Sequence, residues 1–339
     1  MNTKEQFIQK YSLADIFDKT IKMLKYTWKD SIVLSLVGFI PYAAAMATAF
    51  YFYFNAIVNI IAQQHGGTAA AAATQWDLMA PLFFALGLLF AASFVYSIAA
   101  VFISGCISAK TYHRAHGRQV SFKENVFFIL KNKFGKLVLQ LLLFIVIYLG
   151  IIVASAIAFV IVGVIMGLLV KSVAFISALI ITMMLGIFCV VIWLTIAFGF
   201  SLQALVLDDA SPAQGILQSY KLVRGSWWRV FGYSLLLGIV MSFAVSLATF
   251  PIIMIFLLPV YIQTFESIMK NSSHGLNYLP IMKAMKSIYI PLGISSFIQA
   301  CGYMLIMPVF KTLFFIDLKF RKGDFGGDRE LPQPESEQE

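Results

Sequence analysis

Long stretches without a single charge constrain this chain more than any other feature. Ser31–Ala62, Leu78–Ala109, Val230–Phe265 and Ser287–Phe310 contain no Asp, Glu, Lys or Arg, and Leu137–Leu207 contains only Lys171. About 20 consecutive apolar residues suffice to cross a roughly 30 Å hydrocarbon layer as a helix. A tight turn at Lys171 divides the longest stretch in two, so six spans are expected. The stretches are continuous rather than alternating, which disfavours barrel strands. Their length implies helices that tilt or project beyond the lipid. Composition agrees: 60% of the 339 residues are hydrophobic and 12% charged, with a mean hydropathy of +0.86. Soluble domains carry about 25% charged residues. A water-soluble enzyme fold is excluded for nearly all of the chain.

The connecting segments set the orientation. Of the 25 Lys and Arg, 21 fall in residues 1–30, 110–136, 207–229 and 311–339, and four (Lys171, Lys270, Lys283, Lys286) fall in the alternate loops. Basic loops stay on the cytoplasmic side of a bilayer, so both termini are expected inside a cell inner membrane. The net charge of +9 follows from this pattern and does not call for a nucleic acid partner. The first 30 residues hold six Lys, four acids and no apolar core of a signal peptide. Six acids, one Arg and two Pro from Asp324 to Glu339 read as a disordered acidic tail on a single membrane domain, 1–323. Asn271-Ser272-Ser273 matches a glycosylation sequon by pattern alone.

Each long basic segment opens with a helix-start signal: Ser12-Leu-Ala-Asp15, Ser121-Phe-Lys-Glu124 and Ser211-Pro-Ala-Gln214. A Ser N-cap accepts the backbone N–H three residues on, and the acid or amide there reaches back to the cap. Behind the first cap, Leu13, Phe17, Ile21, Leu24 and Trp28 step by 4, 4, 3 and 4; behind the third, Pro212, Ile216, Tyr220, Val223 and Trp227 step identically. One apolar stripe opposite a charged face predicts helices lying in the membrane interface. The second segment aligns only after deleting three residues. The expected fold is therefore all-α: six transmembrane helices plus three cytoplasmic amphipathic helices. They form a pseudo-threefold repeat of amphipathic helix and transmembrane hairpin, in units 12–110, 121–207 and 211–316.

The stretch from Ala204 to Gly232, with its block Leu222-Val223-Arg224-Gly225-Ser226-Trp227-Trp228-Arg229, resembles the central signature of the family named after the membrane domain of glycerophosphoryl diester phosphodiesterase. The ending Phe314-Phe-Ile-Asp-Leu-Lys-Phe-Arg-Lys-Gly-Asp324 resembles that family's last span, and Ser12–Thr20 its start. The family is largely uncharacterised, and some members carry a fused phosphodiesterase domain. Only 17 residues follow Lys322 here, against about 250 for a catalytic barrel. The resemblance therefore implies a membrane domain without that activity.

No catalytic, metal or cofactor site is expected. His113 and His116 share a helical face, but Arg114 and Arg118 would repel a cation and no further ligand is near. Asp208 and Asp209 precede the Ser211 cap, where negative charge favours a helix start. Asp317 and Lys311 sit near the end of the last span, where a local pair or snorkelling explains them. Cys106, Cys189 and Cys301 read as small core residues. Asn55, Asn59, Gln140, Gln203, Gln263 and Gln299 read as hydrogen bonders between helices. Pro41, Pro81, Pro251, Pro259, Pro291 and Pro308 are candidate kinks or breaks, and broken helices often line a cavity.

The residues expected to meet anionic headgroups are Lys25 and Trp28 in the first basic segment. In the second they are Lys110, Arg114, Arg118, Lys131, Lys133 and Lys136, and in the third Arg224, Trp227, Trp228 and Arg229. Near an anionic leaflet each base contributes roughly 1 kcal/mol. Together these features point to a non-catalytic membrane protein that binds or passes a lipid or other amphiphile. The alternative is a scaffold or assembly subunit that recruits protein partners through the charged collar and acidic tail. An intramembrane enzyme would need clustered polar catalysts at one depth, which the sequence does not offer.

Overall fold

The structure is a computed structural model that describes residues 11–65, 75–169, 173–270 and 288–323. The acidic tail at 324–339, the sequon at Asn271, Lys171 with its turn, and most of the loop at 63–77 lie outside the described residues. So do the first ten residues. The described chain is helical, with no strand. In order, the helices are α1 (Leu13–His65), α2 (Gln75–Ala115), α3 (Phe122–Phe128), a π-helical turn (Ile129–Lys133), α4 (Phe134–Leu169), α5 (Val173–Ala197), α6 (Ser201–Leu207), α7 (Pro212–Val223), α8 (Trp227–Lys270) and α9 (Tyr289–Arg321).

Six helical stretches are long and apolar enough to cross a membrane: Leu13–Ile60, Met79–Ala115, Phe122–Val164, Ser177–Leu207, Trp227–Glu266 and Tyr289–Arg321. Each contains the span expected from the sequence, or most of it, and several extend further into the basic segments. The prolines do not break them. Pro41, Pro81, Pro251, Pro259 and Pro308 all sit inside continuous helices. At Pro308 the Thr312 hydroxyl donates to the proline's carbonyl at 2.8 Å, adding a side-chain bond in the turn that follows the ring.

The three capped starts have three different outcomes, which corrects the expectation of three separate interfacial helices. The first runs without a break into its span, so that α1 is 53 residues long. The second inserts a π-helical turn at Ile129–Lys133 before α4. Only the third forms a helix of its own, the 12-residue α7. It ends where Arg224 leaves helical geometry and Gly225 takes φ +88°, a conformation that glycine adopts without a Cβ clash. The stripes differ as well. In α1 the buried line is Ile16, Thr20, Met23, Thr27 and Ser31, while Ile21 and Trp28 point outward. In α7, Ile216 and Val223 of the expected stripe are buried together with Gly215, Ser219 and Leu222.

The chain divides into two compact units that do not follow the expected repeat. One is built from Met1–Lys25, Ser104–Leu235 and Pro308–Glu339, the other from Tyr26–Ile103 and Leu236–Met307. The first holds most of the basic residues and is called here the basic unit. Its core is Ile16, Met23, Ile107, Leu205 and the α9 run Val309, Phe310, Leu313, Phe314 and Phe315. Phe200 meets Phe314 edge-on at 5.5 Å. The second unit packs closely where small residues allow it. A Cβ on Gly293 would lie 2.8 Å from Ala47 Cβ and 3.1 Å from the Ala43 carbonyl oxygen, so glycine sets the approach of α9 to α1.

Candidate functional site: a charged clasp in the basic unit

Asp317 has no exposed surface. It stands in an otherwise apolar run, and a buried carboxylate must be met by donors. Three segments supply them. The Tyr11 backbone N–H donates to Oδ1 at 2.8 Å. Arg229 at the start of α8 donates from Nη2 to Oδ2 at 3.0 Å. Arg321, one turn on in α9, donates from Nε to both oxygens at 3.0 and 3.1 Å. Both guanidinium groups also donate to the Tyr11 carbonyl, at 2.8 and 2.7 Å. The chain entering α1 is thus tied to both α8 and α9 through one peptide and one carboxylate. Charge-assisted bonds of this kind are the strong ones.

Asp208 and Asp209 make a second set of ties. Lys319 donates to both Asp208 oxygens at 2.7 and 2.8 Å. Lys133 and Lys136 both donate to Asp209 Oδ1, at 2.5 and 2.8 Å. Asp209 holds φ +54°, a left-handed turn that Asp tolerates better than most residues. The hydrogen bonds from Lys133 and Lys136 hold its carboxyl below the ordinary carboxylate value of 3.8, against a smaller opposing effect of burial. The sequence reading placed these two acids at a helix start; they chiefly bridge the loop before α7 to the π turn, α4 and α9. Lys322 completes the set by donating to the carbonyls of Lys221 and Arg224 at the end of α7.

The capping residues are in place. Ser121 with Glu124 and Ser211 with Gln214 each form the reciprocal cap. Ser12 and Asp15 do the same, at 3.2 Å for the Asp15 N–H and 2.9 Å for the Ser12 N–H.

The expected headgroup-contact residues divide into two groups. Lys25, Lys131, Arg224, Trp28 and Trp228 are exposed. Lys110, Arg114, Arg118, Lys136, Trp227 and Arg229 are half-buried. Lys133 departs from expectation: only 2% of its surface is exposed, and its ammonium is directed at Asp209. Arg229 likewise faces inward, to Asp317 and Tyr11. Trp227 stacks on Phe231 with centroids 5.2 Å apart. The local pair expected of Lys311 and Asp317 does not form, because Asp317 is occupied by the two arginines.

His116 binds the Tyr112 carbonyl through Nδ1 at 2.9 Å. Among the described residues no three His, Cys, Asp or Glu side chains come together as a metal site.

Sequence reasoning missed a tyrosine cluster in the second unit. Tyr42 and Tyr96 meet at 4.7 Å between centroids, with Phe39 at 5.1 Å from Tyr96. Tyr42 bonds to Ser296, and Tyr303 lies 3.1 Å from the Ser242 hydroxyl. Two of the amides expected to bond between helices leave a buried atom unmatched. Gln140 Nε2 and Gln203 Oε1 are buried without a partner. Phenols inside apolar runs were the available signal, since a buried Tyr hydroxyl seeks a partner.

No curated protein and no solved structure matches the chain at a significant level. A family model described as Domain of unknown function (DUF7847) matches residues 33–313, which takes in all or part of each of the six apolar helices and leaves Tyr11, Asp317, Lys319, Arg321 and Lys322 of the clasp outside. By that match the chain belongs to the DUF7847 family.

Proposed function

We propose that this is a multi-pass protein of the cell's inner membrane, with both termini in the cytoplasm, that binds or passes a lipid or other amphiphile without chemical conversion. One observation carries the reading. Long exposed apolar faces (Val146, Ile152 and Val160 on α4; Phe243, Leu247 and Ile255 on α8) adjoin exposed headgroup-type residues at their basic ends: Lys131 in the π turn before α4, Arg224 just before α8 and Trp228 at its start. Acyl chains match the first and phosphate headgroups the second. The 21-to-4 division of basic residues supports the orientation. The shared Ser caps, with Trp28 and Trp227 at equivalent positions in the first and third segments, support a threefold repeat, now with one interfacial helix distinct and two merged into their spans. The resemblance to the phosphodiesterase membrane-domain family supports a membrane role.

The test is lipid-resolved density from protein purified in native nanodiscs. A lipid held between helices through detergent exchange is expected; an annulus alone would overturn the reading. A stoichiometric protein partner lost on deleting residues 324–339 would favour the scaffold instead. Thiol labelling of His65→Cys and Arg118→Cys, in a background lacking Cys106, Cys189 and Cys301, checks orientation. Labelling of residue 65 only from the cytosol would reverse it.

A further inference from the structure

Lys311 is a charge on α9 that the clasp leaves out. Its neighbours along α9, Val309, Phe310, Thr312, Leu313, Phe314 and Phe315, are all at most 2% exposed, while Lys311 itself is half-buried. It has no hydrogen-bond or ion-pair partner among the described residues. Among the described residues of the unit no unengaged carboxylate is left to supply one. The unit's described acids are Asp15, Asp18, Glu124, Asp208, Asp209 and Asp317, and each is engaged by another group.

Nor does reach to water explain the residue. Lys311 lies six residues before Asp317, about 9 Å back along the helix and roughly 120° around it. Side chains of a helix lean toward its N-terminus, so Lys311 leans away from Lys319 and Arg321 and into the apolar length of α9. A cation so placed is costly without a counter-charge and is a functional candidate by default.

We propose that Lys311 is the cationic anchor of a phosphate-binding site, whose ligand is the anionic headgroup of an amphiphile or free phosphate. A lysine suits phosphate as a compact point charge. The lipid form of the proposal rests on the amphiphile reading above and assigns its headgroup chemistry.

The experiment compares the full-length wild type, Lys311→Met and Lys311→Arg in nanodiscs of phosphatidylcholine with and without phosphatidylglycerol. Native mass spectrometry counts retained lipid, and thermal unfolding reads the fold. The wild type is expected to retain phosphatidylglycerol, Lys311→Met to lose at least tenfold in occupancy, and Lys311→Arg to keep it. In pure phosphatidylcholine, Lys311→Met should unfold no earlier than the wild type, because an unpaired charge has been removed. Earlier unfolding there would mean that Lys311 serves a structural partner, and would overturn the proposal.

Equal retention by Lys311→Met would also overturn it and leave the amphiphile reading standing. A wild type that retains no lipid, yet is stabilised by inorganic phosphate in phosphatidylcholine nanodiscs through Lys311, would keep the anion site and remove the amphiphile. No response to either probe overturns both.

Discussion

Asp317→Asn is the most demanding test of the clasp. The substitution keeps the shape of the side chain and removes its charge. It leaves Arg229, Arg321 and the Tyr11 N–H with a neutral partner that can accept at one oxygen only. Removing one member of a buried ion pair typically costs about 3–5 kcal/mol. The two guanidinium side chains are 23% and 32% exposed, so water offsets part of the loss, and about 2–3 kcal/mol is expected. At roughly 1.4 kcal/mol per decade this is about a 30- to 150-fold fall in the folded-to-unfolded ratio.

Two assays read this. Thermal unfolding in a fixed detergent gives the global effect. Chymotrypsin cleavage after Tyr11, a residue with 1% exposure, gives the local one, since loss of the tie should raise the open population at that segment by a similar factor. Arg229→Met alone should be destabilising too, and in the Asp317→Asn background it should cost much less. The coupling is expected to exceed about 1 kcal/mol, as for groups in one network. Additive costs, or an Asp317→Asn protein within about 0.5 kcal/mol of the wild type, would show that the contacts are geometric coincidence and refute the reasoning.

Other substitutions test neighbouring parts of the fold. Asp209→Asn keeps a residue that tolerates φ +54° while removing the acceptor charge for Lys133 and Lys136. With Asp209 52% exposed, the cost at neutral pH should be about 1 kcal/mol. The folded carboxyl titrates below its ordinary value, so its contribution is present above that value and disappears as pH falls through the lowered one. Stability measured from pH 6 to pH 3 should therefore converge between wild type and variant at the acid end; parallel curves would argue against the bridge. Gly293→Val should be worse tolerated than Gly293→Ala, because the Cβ already meets Ala47 at 2.8 Å, and thermal unfolding should rank them in that order. Ser211→Ala should lower unfolding stability by about 1 kcal/mol through loss of the reciprocal cap, and an unchanged midpoint would dismiss that cap.

The spans and the caps were legible because both are written in local sequence. Twenty apolar residues, or a Ser with Glu or Gln three positions on, need no knowledge of distant segments. The charge pairs were not legible for the opposite reason: Tyr11 and Asp317 are 306 residues apart, and Lys319 and Asp208 are 111 apart. A single acid among Phe314, Phe315, Ile316 and Leu318 was the available signal for a buried Asp317 in need of cations, but the sequence reading assigned it only a local pair or snorkelling. Which of 25 basic residues would supply them depends on packing. That is why Lys133 and Arg229, grouped by position with the headgroup contacts, belong instead to the interior.

The three capped starts sharpen the point, because matched local signals end in different structures. Lys25-Tyr26-Thr27 aligns with Arg224-Gly225-Ser226, each directly before the equivalent tryptophans Trp28 and Trp227. Tyr26 can continue a helix, and α1 passes through it unbroken. Gly225 can turn at φ +88°, and α7 stops there while Lys322 binds the carbonyls left open at its end. In the second segment the chain stays helical but widens to a π turn, which carries Lys133 to Asp209. The residue at the hinge decides whether an amphipathic segment stands apart from its span. Gly225→Ala should accordingly strain the turn by about 1 kcal/mol and shift the third segment toward the continuous form of the first. A spin-label pair at residues 217 and 235 would report that shift as a longer distance, since two helices joined by a turn bring those positions closer than one straight helix. An unchanged distance, with unchanged stability, would show that the break is held by the clasp around α7 rather than by glycine.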